Sequence, residues 1–166
     1  MSRSPRPARL TALGDELVRI HDSLRAELRR LQDGVRDPGR PLAVHCLAFC
    51  AALTRHHTGE EAGAFPALAA RFPELTPLLE KMAEDHVSIA RIVARVEEIA
   101  GSGDPSLAGE LDGLAAIAES HFSFEERRIR DALDALDGSA DDLLGARAGA
   151  LQPSSPAAGH LPRERR

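Results

Sequence analysis

At 166 residues the chain defaults to one domain, and at that size roughly two-thirds of the unfolded surface is buried on folding. Hydrophobic residues make up 43% and aromatics only 3%, with Ala and Leu dominant and no Trp or Tyr; this favours an all-α protein and removes the usual base-stacking platforms. A formal charge of -5 gives no reason to expect nucleic-acid binding, and no apolar run approaches the roughly 18 residues of a membrane span. Met1 to Arg9 is basic with no apolar stretch behind it, so no signal peptide is expected. Cys46 and Cys50, four apart, are no disulfide framework, which fits a reducing, cytoplasmic compartment.

Residues 1–8, with Pro5 and Pro7, read as a flexible lead-in to a bundle over 9–138. A first helix is expected over roughly 9–33, with Leu10, Leu13, Leu17, Ile20, Leu24, Leu28 and Leu31 as its apolar stripe and His21 on that stripe. Gly34, Pro38 and Gly39 end it. A second helix is expected over roughly 41–62, with Pro41 in its first turn and Leu42, His45, Phe49, Leu53, His56 and Glu60 on one face. Gly59 and Gly63 weaken it locally and admit a close neighbour. Phe65 to Pro73 forms a turn with apolar plugs.

The third helix runs over roughly 76–100, capped by Thr76 with Pro77 next, and lines up Leu79, Met82, His86, Ile89, Val93 and Val96. The fourth, over roughly 106–137, turns Leu107, Leu111, Leu114, Ile117, His121, Glu125, Ile129 and Leu133 inward and stops at Gly138. Residues 139–166 drift into Ala, Gly, Pro and Ser and read as a flexible tail, with His160 solvated. Short connections force neighbouring helices antiparallel, giving an up-and-down four-helix bundle.

Two stretches match: His56-His57-Thr58-Gly59-Glu60-Glu61 and His121-Phe122-Ser123-Phe124-Glu125-Glu126, both H-x-x-x-E-E. Positions i and i+4 share a helix face, so each stretch aims an imidazole and a carboxylate at one point. Counted from the loops at about 1.5 Å per residue, His21, His56, His86 and His121 fall at one level near mid-bundle. A lone histidine on an apolar face is more often a hydrogen-bonded core group than a ligand. Four at one height, with two carboxylates one turn further on, would be costly to bury without a cation. His45 is about 16 Å along the axis from His56 and cannot share such a centre; it reads as a core or supporting group at the bundle end. Cys46 and Cys50 read as small buried hydrophobes, since a bridge between them would be strained within a helix.

The ordered set resembles the hemerythrin-like (HHE cation-binding) family over roughly residues 15–137. It comprises His21, the HHTGEEAGAFPAL stretch from His56 to Leu68, EDH ending at His86, and HFSFEER from His121 to Arg127. The resemblance implies a four-helix bundle around two non-haem iron ions. Its ligands would be His21, His56, Glu60, His86, His121 and Glu125, both glutamates bridging, together with an oxo or hydroxo bridge. Oxygen carriers of that family have a further histidine one turn after the third-helix ligand, where this chain has Ala90; one turn before it stands Met82. His57 is the nearest candidate for an additional ligand, the alternative being an imidazole on the helix surface or one that supports the ligands without binding metal. The register pairing His57 with Glu61 has the same spacing. His56 with Glu60 is preferred because it matches His121 with Glu125, which sets His57 opposite Phe122.

Imidazole and carboxylate donors with open positions suit iron that meets a small diatomic or peroxide. One histidine fewer than the carriers tilts the expectation from reversible oxygen transport toward peroxide decomposition, or toward handling oxygen or nitric oxide. The alternative is a sensor or binding module in which iron or diatomic binding sets bundle stability and a protein partner reads it. Storage is disfavoured because one bundle has no evident cage-forming surface.

Overall fold

The structure is a computed structural model and describes residues 11–36 and 42–146. The readings on residues 1–8, Leu10, the Pro38–Gly39 loop, Pro41 and His160 lie outside them. Among the described residues the chain is all-helical, and the expected all-α bundle is what forms. Its long helices are α1 (Leu13–Val35), α2 (Leu42–Gly59), α4 (Thr76–Ile99) and α5 (Leu107–Leu133). Shorter pieces are a π-helical turn Glu60–Ala64, α3 (Phe65–Arg71), a 3₁₀ turn Pro73–Leu75 and α6 (Ala140–Leu144). None of these helices is long and apolar enough to cross a membrane.

Each long helix packs on two others: α1 on α2 and α5, and α4 on α2 and α5. Cross-helix pairs show the antiparallel sense. On α1 and α5, Asp15 meets Arg130, Arg25 meets Glu119, and Gln32 meets Asp112. On α4 and α5, His86 meets His121 and Arg95 reaches Glu110. The helix 1 stripe is inward as expected at Leu13, Leu17, His21, Leu24, Leu28 and Leu31. Gly14 brings α5 close, since a Cβ there would lie 2.5 Å from the Arg130 carbonyl oxygen. Ala12 cannot cap α1, so the free Gly14 N–H donates instead to Asp134 Oδ1 at 2.8 Å.

Two apolar plugs fill the bundle. One is built on Leu28, Phe49, Leu53, Val93 and Leu114, the other on Leu17, Leu68, Met82, Ile129 and Leu133. The buried polar residues His21, His56, His57, Glu60, His86, His121 and Glu125 form the layer between them.

Several local expectations are corrected. The second helix does not run to residue 62 as one α-helix; it changes to the wider π turn at Glu60. The fourth ends at Leu133 and not near 137. Thr76 is the first residue of α4, follows Leu75 at the cap, and makes no capping hydrogen bond. His45 is exposed while Cys46, one residue on, takes the buried position. Ile117 is only partly buried, its place in the core taken by Ala118.

The largest departure is in the expected 139–166 tail, where Ala140–Leu144 is a packed helix with Leu144 fully buried. Ser139 caps it by accepting the Asp142 N–H at 3.1 Å, and Gly145, at φ +62°, ends it. The close approach foreseen at Gly59 and Gly63 is to this helix. A Cβ on Gly59 would fall 2.5 Å from the Gly145 backbone, and one on Gly63 would collide with the Asp142 carbonyl. Gly63→Val should therefore push α6 off the π turn at a cost of about 1–3 kcal/mol. Urea unfolding checks this, and an unchanged midpoint would count against the contact.

Candidate metal centre

The polar layer divides into two groups of donor atoms. His21, His56, Glu60 and Glu125 bring one nitrogen or oxygen each to within 4.8 Å of one another; His57, His86 and His121 do the same beside them. Within the groups, His21 Nε2 and His56 Nε2 are 3.0 Å apart, as are His86 Nε2 and His121 Nε2. The carboxylates lie between. Glu60 Oε1 is 3.3 Å from His56 Nε2, while its Oε2 is 3.5 Å from His86 Nε2. Glu125 Oε2 is 3.2 Å from His21 Nε2 and 3.7 Å from His121 Nε2. Each carboxylate therefore touches both groups.

Three of the outward ring nitrogens are anchored. His21 Nδ1 donates to Glu126 Oε1, and His86 Nδ1 to Glu61 Oε1, each at 2.8 Å. His56 Nδ1 donates to the Leu144 carbonyl at 2.7 Å, so α6 orients this ring. His121 Nδ1 faces Asp85 Oδ2 at 3.6 Å. For His21, His56 and His86, donation outward through Nδ1 leaves Nε2 to act inward, an arrangement typical of metal-binding imidazoles.

The second glutamate of each H-x-x-x-E-E stretch thus reaches across to the histidine of a neighbouring helix. The doubling is visible in the sequence, where Glu61 enters only as the alternative partner of His57, and nothing there points to Glu126, Leu144 or Asp85. A further signal was present. His21 and His86, His56 and His121, Glu60 and Glu125, and Glu61 and Glu126 are all separated by 65 residues. The centre is a helix-pair unit used twice. The same offset sets His57 against Phe122, where the halves differ: His57 stacks on His86 with centroids 3.9 Å apart, and Phe122 stacks on His21 at 4.1 Å. His57 is 5% exposed, which excludes a helix-surface imidazole and leaves a ligand or a ring that supports His86. Ala90 lies on the exposed face of α4, and Met82 belongs to the apolar plug.

Without a cation the layer is electrostatically awkward. Burial depresses His56 to about 3 and takes His57 well below the ordinary imidazole value. Burial likewise lowers His86 and His121. Burial disfavours charge on His21 too, but Glu125 and Glu126 outweigh it and raise its pKa. Burial, reinforced by the Glu125 charge, pushes Glu60 well above the usual carboxylate range. Burial would also raise Glu125, but His21 overcomes that and holds it at about 2. Two buried carboxylates side by side resist ionising together, and the opposite shifts favour the proton on Glu60.

A cation fits what is left over. Both oxygens of Glu60, both of Glu125, and His57 Nε2 are buried with no hydrogen-bond partner. These atoms point into the space between the two donor groups, and imidazole with carboxylate is a donor set for first-row metals.

The hemerythrin HHE cation-binding domain matches residues 13–145, from the start of α1 through α6. The chain belongs to the hemerythrin HHE cation-binding family. No curated protein and no solved structure gave a match. As an HHE domain it is a cation-binding module, and the buried His/Glu layer is where its described residues can hold metal.

Because Glu60 and Glu125 each touch both donor groups, Glu60→Ala and Glu125→Ala should each reduce metal content more than His57→Ala, which removes one terminal donor. Metal analysis of the three purified variants checks the order. Loss of metal from His57→Ala with retention in His56→Ala would instead favour the His57–Glu61 register.

Proposed function

We propose that this HHE domain holds two iron ions and reacts with a small oxidant, with peroxide decomposition the leading activity and oxygen or nitric oxide binding the next. The observation that carries the reading is the pair of donor groups spanned by two carboxylates whose oxygens have no other partner. Five imidazoles and two carboxylates exceed what one tetrahedral zinc site takes. Two irons, when bound, would supply paired one-electron changes suited to a two-electron oxidant.

The chain's own contributions follow from its geometry. Glu60 and Glu125 would hold the two ions together. Glu61, Glu126 and the Leu144 carbonyl fix the rings of His86, His21 and His56. The apolar plugs above and below keep bulk water from the layer. Phe122 replaces an imidazole on the His21 side, so that side has one nitrogen donor fewer.

Oxygen evolution from hydrogen peroxide by the iron-loaded protein, compared with Glu60→Ala, tests the activity. Evolution above that of the variant supports it. No evolution from a protein with its full iron content favours the second reading, a sensor. That reading draws on α6: its Leu144 carbonyl holds His56, so a change at His56 bears directly on where this segment sits.

A further inference from the structure

Arg25 is the cation that reaches a carboxylate hydrogen-bonded to a histidine of the centre. Its Nη1 donates to Glu126 Oε1 at 2.8 Å, the same oxygen that accepts from His21 Nδ1. The rest of the guanidinium is tied down by Glu119, through Nε at 2.7 Å and Nη2 at 3.2 Å, and Nη1 also reaches Asp22 Oδ1 at 3.0 Å. The same group lies 5.5 Å from the centre of the Phe122 ring, which stacks on His21. Arg25 therefore bears on both things that fix the His21 ring: the carboxylate at its edge and the phenyl on its face.

The other half is built differently: Lys81 pairs with Asp85, whose Oδ2 lies 3.6 Å from His121 Nδ1, but among the described residues no cation pairs with the Glu61 that holds His86. At the 65-residue offset Arg25 corresponds to Ala90, which is exposed. Glu61, which holds His86, is 44% exposed, and among the described residues its one ion pair is with His86. The two helix-pair units thus match in His, His and Glu, differ at His57 against Phe122, and differ again in what stands behind His21 and His86.

We propose that Arg25 is a positioning residue for the His21 side of the centre, acting through Glu126 and Phe122 and making the two metal positions unequal; this rests on the two-metal reading above. A carboxylate shared between Arg25 and His21 is held in place and draws less on the imidazole N–H than Glu61, which serves His86 alone. Supporting partners of this kind set the orientation and basicity of the ring and change metal affinity by about 10- to 100-fold. The His21 side should depend on Arg25, and the His86 side should not.

Anaerobic titration of the metal-free full chain with ferrous iron, followed by calorimetry, resolves two binding steps if the positions differ. Arg25→Met keeps an apolar stem over Phe122 and removes the charge; it should weaken one step on the order of 10-fold and leave the other unchanged. Arg25→Lys, which keeps charge but not the planar fork, should fall between. Glu61→Gln should weaken the step that Arg25→Met spares. If Arg25→Met fails to fold, Glu126→Gln tests the same connection and should weaken the same step as expected for Arg25→Met. Unchanged affinities, or equal weakening of both steps, would overturn the role of Arg25. A wild-type protein that takes up only one ion would overturn the two-metal reading and this inference with it.

Discussion

Iron-loaded protein should melt roughly 10 °C or more above the metal-free protein at pH 7. Binding confined to the folded state stabilises it by RT ln(1 + [L]/Kd), about 4 kcal/mol at 1,000 times Kd. For a domain of this size each kcal/mol is worth about 2–4 °C. In the metal-free bundle protons would relieve part of the electrostatic cost, since burial and the Glu125 charge favour a protonated Glu60 and His21 favours an ionised Glu125. That relief is incomplete, since both oxygens of Glu60 are buried without a hydrogen-bond partner. Thermal unfolding followed by circular dichroism, with and without iron, measures the shift. Coincident curves would mean that metal adds nothing to the stability of the bundle, and the sensor reading would lose its physical basis.

Glu60→Met should have opposite effects on the two states. In the metal-free protein it removes a fully buried carboxyl group with two unpartnered oxygens and replaces it with a flexible apolar chain of similar size. Relief of that desolvation is worth about 1–3 kcal/mol, or a rise of several °C. The gain on adding iron should disappear, because the atoms that touch both donor groups are gone. Glu125→Met should differ: it strips the partner that lies 3.2 Å from His21 Nε2 and lowers the metal-free midpoint. Melting curves of both variants in chelator decide the matter; equal losses in the two would contradict the division of charge between Glu60 and Glu125.

Much of this arrangement can be read from the sequence because it repeats at helical spacing. The leucine stripe of α1, the buried run from Leu79 to Val96 on α4, and the two H-x-x-x-E pairs each follow from 3.6 residues per turn. Connections short enough to force antiparallel neighbours then bring the histidines to one level. What periodicity cannot convey is a change of period. The π turn at Glu60–Ala64 adds width to one turn, and nothing in an apolar pattern distinguishes it from a continued α-helix.

His45 lies off the core for a related reason. It stands four residues before Phe49 and so appears on the stripe, but Cys46 stands three before, and the small apolar thiol takes the core position while the imidazole meets solvent. The α6 signals were present, Ser139 as cap and Gly145 as stop, yet five residues in an Ala- and Gly-rich stretch carry too little pattern to outweigh the composition. The roles of Glu61 and Glu126 could be found only by asking where the second carboxylate of each pair points, which requires the neighbouring helix.

Metal content after iron-replete expression tests the two-metal reading most directly. Two iron ions per chain are expected, falling sharply in Glu60→Ala and Glu125→Ala. One zinc per chain, unchanged by iron supply, would contradict it.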